Sequence, residues 1–130
     1  MGPRARSGAV TVTARLELVL DCRDPDGLAQ FWAAALGYRQ QGGAANYRAL
    51  VPDSGDGPKL ILQGVDEPKA TKNRMHLDIL AGDIEAEASR LTQLGARRAR
   101  GEVVVEHGMH WIVMVDPEGN EFCICRSDDC

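Results

Sequence analysis

One pattern occurs twice along this chain, and that duplication restricts the fold more than any other feature. Residues 15–22, RLELVLDC, alternate Leu16, Leu18 and Leu20 with Glu17, Val19 and Asp21, the period-two pattern of a strand with one buried side. The stretch DPDGLAQFWAAALG then places Asp24 as N-cap, Pro25 at the first helical position and Gly37 as C-cap. Leu28, Phe31, Trp32, Ala35 and Leu36 fall on one helical stripe between the caps. Strands are expected at 38–41, 45–51 and 58–64, divided by glycine-bearing loops. The series restarts with RMHLDIL at 74–80, where Met75, Leu77 and Ile79 alternate with His76 and Asp78. A helix from cap Asp83 to cap Gly95 follows, with Ile84, Ala88, Leu91 and Leu94 as its apolar stripe, then strands at 102–106, 110–115 and 120–126. Asp24 and Asp83 are 59 residues apart, and the same offset carries Glu17 onto His76.

A half this small cannot cover both faces of its own sheet. The expectation is an α+β fold of two tandem βαβββ modules, forming a curved mixed β-sheet cleft with the helices on its outer face. Module one spans 15–64, a linker 65–73 and module two 74–126, as a single domain, with 1–14 as a flexible N-terminal extension. The leucine sides of the first strands pack under the helices, leaving Glu17 and His76 on the concave face.

Length and charge narrow the function classes. The 130 residues suffice for one compact unit, and 44% hydrophobic with 26% charged residues is a globular balance. A formal net charge of −4 argues against nucleic acid as a partner; the clusters Arg4/Arg6 and Arg97/Arg98/Arg100 read as solvated faces. The first fourteen residues lack the apolar core of a signal peptide, and no eighteen-residue apolar run suggests a membrane span. Cys22, Cys123, Cys125 and Cys130 include no C-x-x-C pair, so reduced thiols and a cytoplasmic location are expected. The Ala, Arg and Gly richness is of the kind associated with high-GC bacterial proteins.

The duplication, together with LDCRDPDGLAQFWAAALGY, KNRMHLDI and DPEGNEFCIC, resembles the vicinal oxygen chelate superfamily in its glyoxalase-like, bleomycin-resistance-type branch. The resemblance covers residues 15 to 126. It implies a concave cleft, often completed by a second copy in a homodimer. It also implies metal ligands, where a metal is used, from the first and last strand of each module. Those positions fall here on Glu17, Gln63, His76 and Cys123, with Glu121 two residues away on the same strand face. A thiol beside a glutamine is an odd mixture for a hard-ion Lewis-acid site, and one histidine does not supply the two-histidine, one-carboxylate iron site of a dioxygenase. Function does not follow from fold, because the superfamily holds isomerases, dioxygenases, epimerases, thiol transferases and metal-free antibiotic-binding proteins.

Several residues carry both a structural and a chemical reading. His76 reads first as a strand residue hydrogen-bonded to a neighbour or to Glu17, and second as a ligand contact. Glu17 in an otherwise apolar strand must be paired, hydrated or functional, and with His76 across the pseudo-two-fold axis it could form an acid–base pair. Cys123 and Cys125 read as buried small hydrophobes; Asp21 and Asp78 read as strand-end groups binding loop amides. EHGMHW suggests a mobile loop through which His107, His110 and Trp111 could close over a ligand. Trp32, Tyr47 and Trp111 are the aromatic contacts a flat ligand would meet, although Trp32 also fits helix-to-sheet core. Lys69, Lys72 and Arg74 read as a solvated linker.

The resulting expectation is metal-independent binding of a small apolar organic molecule, such as an antibiotic, oriented by Glu17, His76 and Trp111, with Trp32, Tyr47, Gln63 and His110 as further ligand-binding residues. The alternative is a lyase or isomerase using a divalent ion (Zn, Ni, Mn or Fe) held by Glu17, Gln63, His76 and Glu121 or Cys123. A metal-free enzyme with Glu17 and His76 as acid and base is the third.

Overall fold

Strand alternation and helix caps assemble two βαβββ modules in the computed structural model, which describes residues 16–128; the expected extension over 1–14 lies outside the described residues. In module one, β1 (Glu17–Cys22) leads into α1 (Pro25–Leu36), β2 (Tyr38–Ala44), β3 (Tyr47–Pro52) and β4 (Lys59–Gly64). In module two, β5 (Leu77–Ala81) leads into α2 (Ile84–Leu94), β6 (Arg97–Arg98), β7 (Val104–Glu106), β8 (Met109–Val115) and β9 (Glu121–Arg126). Both caps act as the sequence indicated. Asp24 accepts the Gly27 amide at 3.2 Å and Asp83 that of Ala86 at 3.0 Å, while Gly37 closes α1 in the left-handed region at φ 66°.

The sheets are separate: β1-β4-β3-β2 in the first module, and β5-β9-β8-β6 with β7 on β8 in the second. Each first strand pairs in parallel with its module's last strand, Leu18 opposite Leu60 and Leu77 opposite Phe122, so the duplication holds at the level of register. β6 is an addition to the expected elements. Arg97 and Arg98, read as a solvated cluster, pair with Val115 and Met114.

One core joins the modules. Trp32 and Phe31 from α1 meet Phe122 of β9 at ring-centroid distances of 5.1 and 6.3 Å, among Leu28, Leu62, Leu91, Ile112 and Ile124. The DPEG turn supplies the polar side of this contact. Buried Asp116 accepts the Trp32 indole N–H at 3.0 Å and the backbone N–H of Glu118 and of Asn120, each at 2.9 Å. The Glu118 carboxylate accepts the amides of Arg23 and Asp24 at 2.7 and 2.8 Å, fixing the entry to α1. No helix among the described residues is long and apolar enough to cross a membrane.

Candidate functional site

Because successive strand residues face opposite ways, Leu77, Phe122, Ile124, Ile112 and Met114 fill the core, while Asp78, Cys123, Val113 and Trp111 face outward. Register brings Asp78 opposite Cys123 and Cys123 opposite Val113. His76 precedes β5 by one residue rather than lying at a strand centre, and its Nε2 is 3.2 Å from Asp78 Oδ1. Donor atoms of His76, Asp78 and Cys123 all lie within 4.8 Å of one another. Around them is a cavity of about 450 Å³, floored by Trp111, Val113 and Met109 and edged by Lys72, Arg100 and Glu106.

Burial pushes the Cys123 thiol up, the Asp78 carboxylate adds to the rise, and Lys72 opposes it. Glu121 is held below the usual carboxylate range, chiefly by the Asn73 amide at 2.8 Å and then by Lys69 at 3.3 Å. Its oxygens are thus engaged by the linker rather than turned toward Cys123.

Several sequence expectations need correcting. Glu17 pairs with Lys59 at 3.6 Å and is half exposed, so the carboxylate is hydrated, and its partner is not His76. It borders a different cavity, of about 970 Å³, lined by residues from Leu16 to Lys59 of module one. Glu17 and His76 therefore do not share a cavity within one chain. The physical reason is that each concave face belongs to its own sheet. Gln63 lies on β4 opposite Asp21 and Tyr47, and neither Glu17 nor Glu121 joins the cluster of His76, Asp78 and Cys123. Asp78, read as a loop-binding strand end, is instead the residue that joins His76 to Cys123.

EHGMHW is a β-hairpin rather than an irregular loop. His107 and Gly108, at φ 53° and 76°, make the two-residue turn of the β7–β8 hairpin, a geometry matched to strand twist. His110 pairs with Val105 and Trp111 with Val104, so alternation sends the two side chains to opposite faces and only Trp111 borders the cavity. Trp32 is core, 1% exposed. Tyr47 is exposed on β3. Cys22 and Cys123 are free thiols, but Cys125 is disulfide-bonded, against the expectation of reduced thiols.

A third cavity, of about 300 Å³, lies between β1 and β5, and His76 and Glu121 line both it and the cavity floored by Trp111.

Paired βαβββ modules with an outward-facing cleft on each sheet define the class. A family model for the glyoxalase-like domain matches residues 17–125, and the chain belongs to that family, within the vicinal oxygen chelate superfamily. No curated protein matches the sequence. Among solved structures, a glyoxalase/bleomycin resistance protein/dioxygenase from Nocardioides is 15% identical with a TM-score of 0.70, over 91% of this chain and 85% of that one. A glyoxalase-related enzyme from Fulvimarina pelagi is 16% identical with a TM-score of 0.68, over 88% of each chain. The fosfomycin resistance protein FosX of Mesorhizobium loti is 13% identical with a TM-score of 0.67, over 89% of this chain and 93% of that one. These identities establish the fold alone.

Proposed function

We propose that the protein binds a small, largely apolar organic molecule, an antibiotic or similar metabolite, on the outer face of the second module, without breaking a bond. The observation that carries this reading is the cavity itself. Trp111, Val113 and Met109 offer apolar surface, and His76 with Asp78 offers a polar pair at one side to fix orientation. One neighbour of the same fold is a fosfomycin resistance protein, which supports an antibiotic as the kind of ligand. A homodimer fits the reading as well, since the outer faces of one chain open into separate cavities and a second copy could oppose module one to module two.

The experiment is an equilibrium titration with 1-naphthol, a neutral flat probe, followed by its own emission. Saturable binding that weakens about tenfold or more in Trp111→Ala, through lost aromatic contact, is expected. Equal binding by Trp111→Ala and the parent protein would overturn the assignment.

A second reading is favoured by the convergence of His76, Asp78 and Cys123. One imidazole, one carboxylate and one thiol suit a borderline ion such as zinc better than a hard ion, and three ligands leave a position open for a substrate oxygen. Such an ion would act as a Lewis acid. In that case the protein's own residues hold the site: Asp78 orients the imidazole, and Trp111 and Val113 keep water from one side.

A further inference from the structure

Among the described residues β1 hydrogen-bonds only to β4 and β5 only to β9, so within them each module leaves one strand edge unpaired at the seam. The cavity of about 300 Å³ there is walled by Leu18, Leu20 and Leu60 of module one and by Leu77 and Phe122 of module two, with Trp32 beside them. Its rim carries Asn73, Arg74, His76 and Glu121. Two of the rim groups are already engaged: Glu121 receives Lys69 and the Asn73 amide, and His76 faces Asp78. Arg74 is exposed and, among the described residues, has no carboxylate within ion-pair distance. The rim therefore presents one uncompensated positive charge above an apolar interior.

From this we infer a second binding site, at the seam, for a small organic monoanion with an apolar body, such as a medium-chain alkanoate. The body enters between β1 and β5, and the carboxylate stays at the rim against the Arg74 guanidinium. Size sets the limit. At roughly 30 Å³ for each water-sized group, the cavity takes about ten non-hydrogen atoms, the size of octanoate. The site is distinct from the cavity floored by Trp111 and does not depend on that cavity having a ligand.

The chain has two tryptophans, and each reports one cavity: Trp32 the seam and Trp111 the outer face. Nitrogen-15 correlation spectra of the full chain, titrated with octanoate, should move the Trp32 indole signal saturably, with a Kd at or below about 1 mM, and leave that of Trp111 in place. Arg74→Gln, an exposed change that leaves the core untouched, should weaken octanoate by up to about fivefold, the scale of an exposed ion pair, without altering 1-octanol binding. A stationary Trp32 signal would overturn the proposal, as would equal weakening of octanol. So would a Trp32 signal that moves with protein concentration alone, which would mean that a second copy covers the seam. Because Trp111 is read in the same spectra, failure at the seam is separable from failure of the outer-face site.

Discussion

Asp78 Oδ1 lies 3.2 Å from His76 Nε2, and the same aspartate stands opposite Cys123 in the β5–β9 ladder. Two steps along an extended segment return a side chain to the same face, and parallel pairing adds the cross-strand neighbour. Module one uses the equivalent position differently. There Glu17 meets Lys59, and the pair compensates its own charge at the surface. The duplication has thus kept its backbone register while concentrating metal-type donors in one copy.

Cobalt provides a test of that concentration. If the three donors hold a divalent ion, Co(II) should give a near-ultraviolet thiolate absorption that disappears in Cys123→Ser. Affinity should fall at least about tenfold in Asp78→Asn, and Gln63→Ala should have no effect. Absorption that survives Cys123→Ser would rule out the thiolate as a ligand.

Alkaline pH should weaken the fold through Cys22. Burial, aided by the Glu118 and Asp24 carboxylates, pushes this thiol from 9.0 up to about 12. The fold thus holds the proton more tightly than the unfolded chain does. Its contribution to stability is complete below pH 9.0 and is lost as pH rises toward about 12. Urea midpoints measured across this window should fall less steeply in Cys22→Ala, after allowance for the cost of the substitution itself. An unchanged slope would show that Cys22 does not titrate differently in the two states.

The contact between the modules should be sensitive to Asp116. Its carboxylate serves Trp32 and Asn120 in the buried seam, so Asp116→Ala strands several donors and should cost about 3 kcal/mol in urea unfolding. Glu118→Ala removes exposed bonds to Arg23 and Asp24 and should cost about 1 kcal/mol. Equal losses for the two would mean that burial is not what gives Asp116 its weight.

Much of the scaffold was legible because its signals are local. Asp24, Gly37, Asp83 and Gly95 cap helices through their own side chains or backbone freedom, and the alternation in β1 and β5 announces which residues face the core. The site was legible only in part. Alternation put His76 and Asp78 on one side, but that Cys123 stands opposite Asp78 depends on parallel pairing across forty-five positions of sequence, which no local pattern encodes. Glu17 was misassigned for the same reason, since its partner Lys59 lies on β4. The joint role expected of His110 and Trp111 met turn chemistry: His-Gly at 107–108 is a two-residue hairpin turn, which puts the two residues on opposite faces. Arg97 and Arg98 carry no alternation, so β6 left no mark in the sequence.

The central claim is that small molecules enter on the outer face of module two, beside Trp111 and His76. The most direct measurement is the nitrogen-15 correlation spectrum during titration with 1-naphthol. Saturable movement of the Trp111 indole and of the Asp78, Val113 and Cys123 amides, with Tyr47 and Gln63 of module one unmoved, is the expected result. Movement centred on Tyr47 and Gln63, with Trp111 stationary, would contradict it.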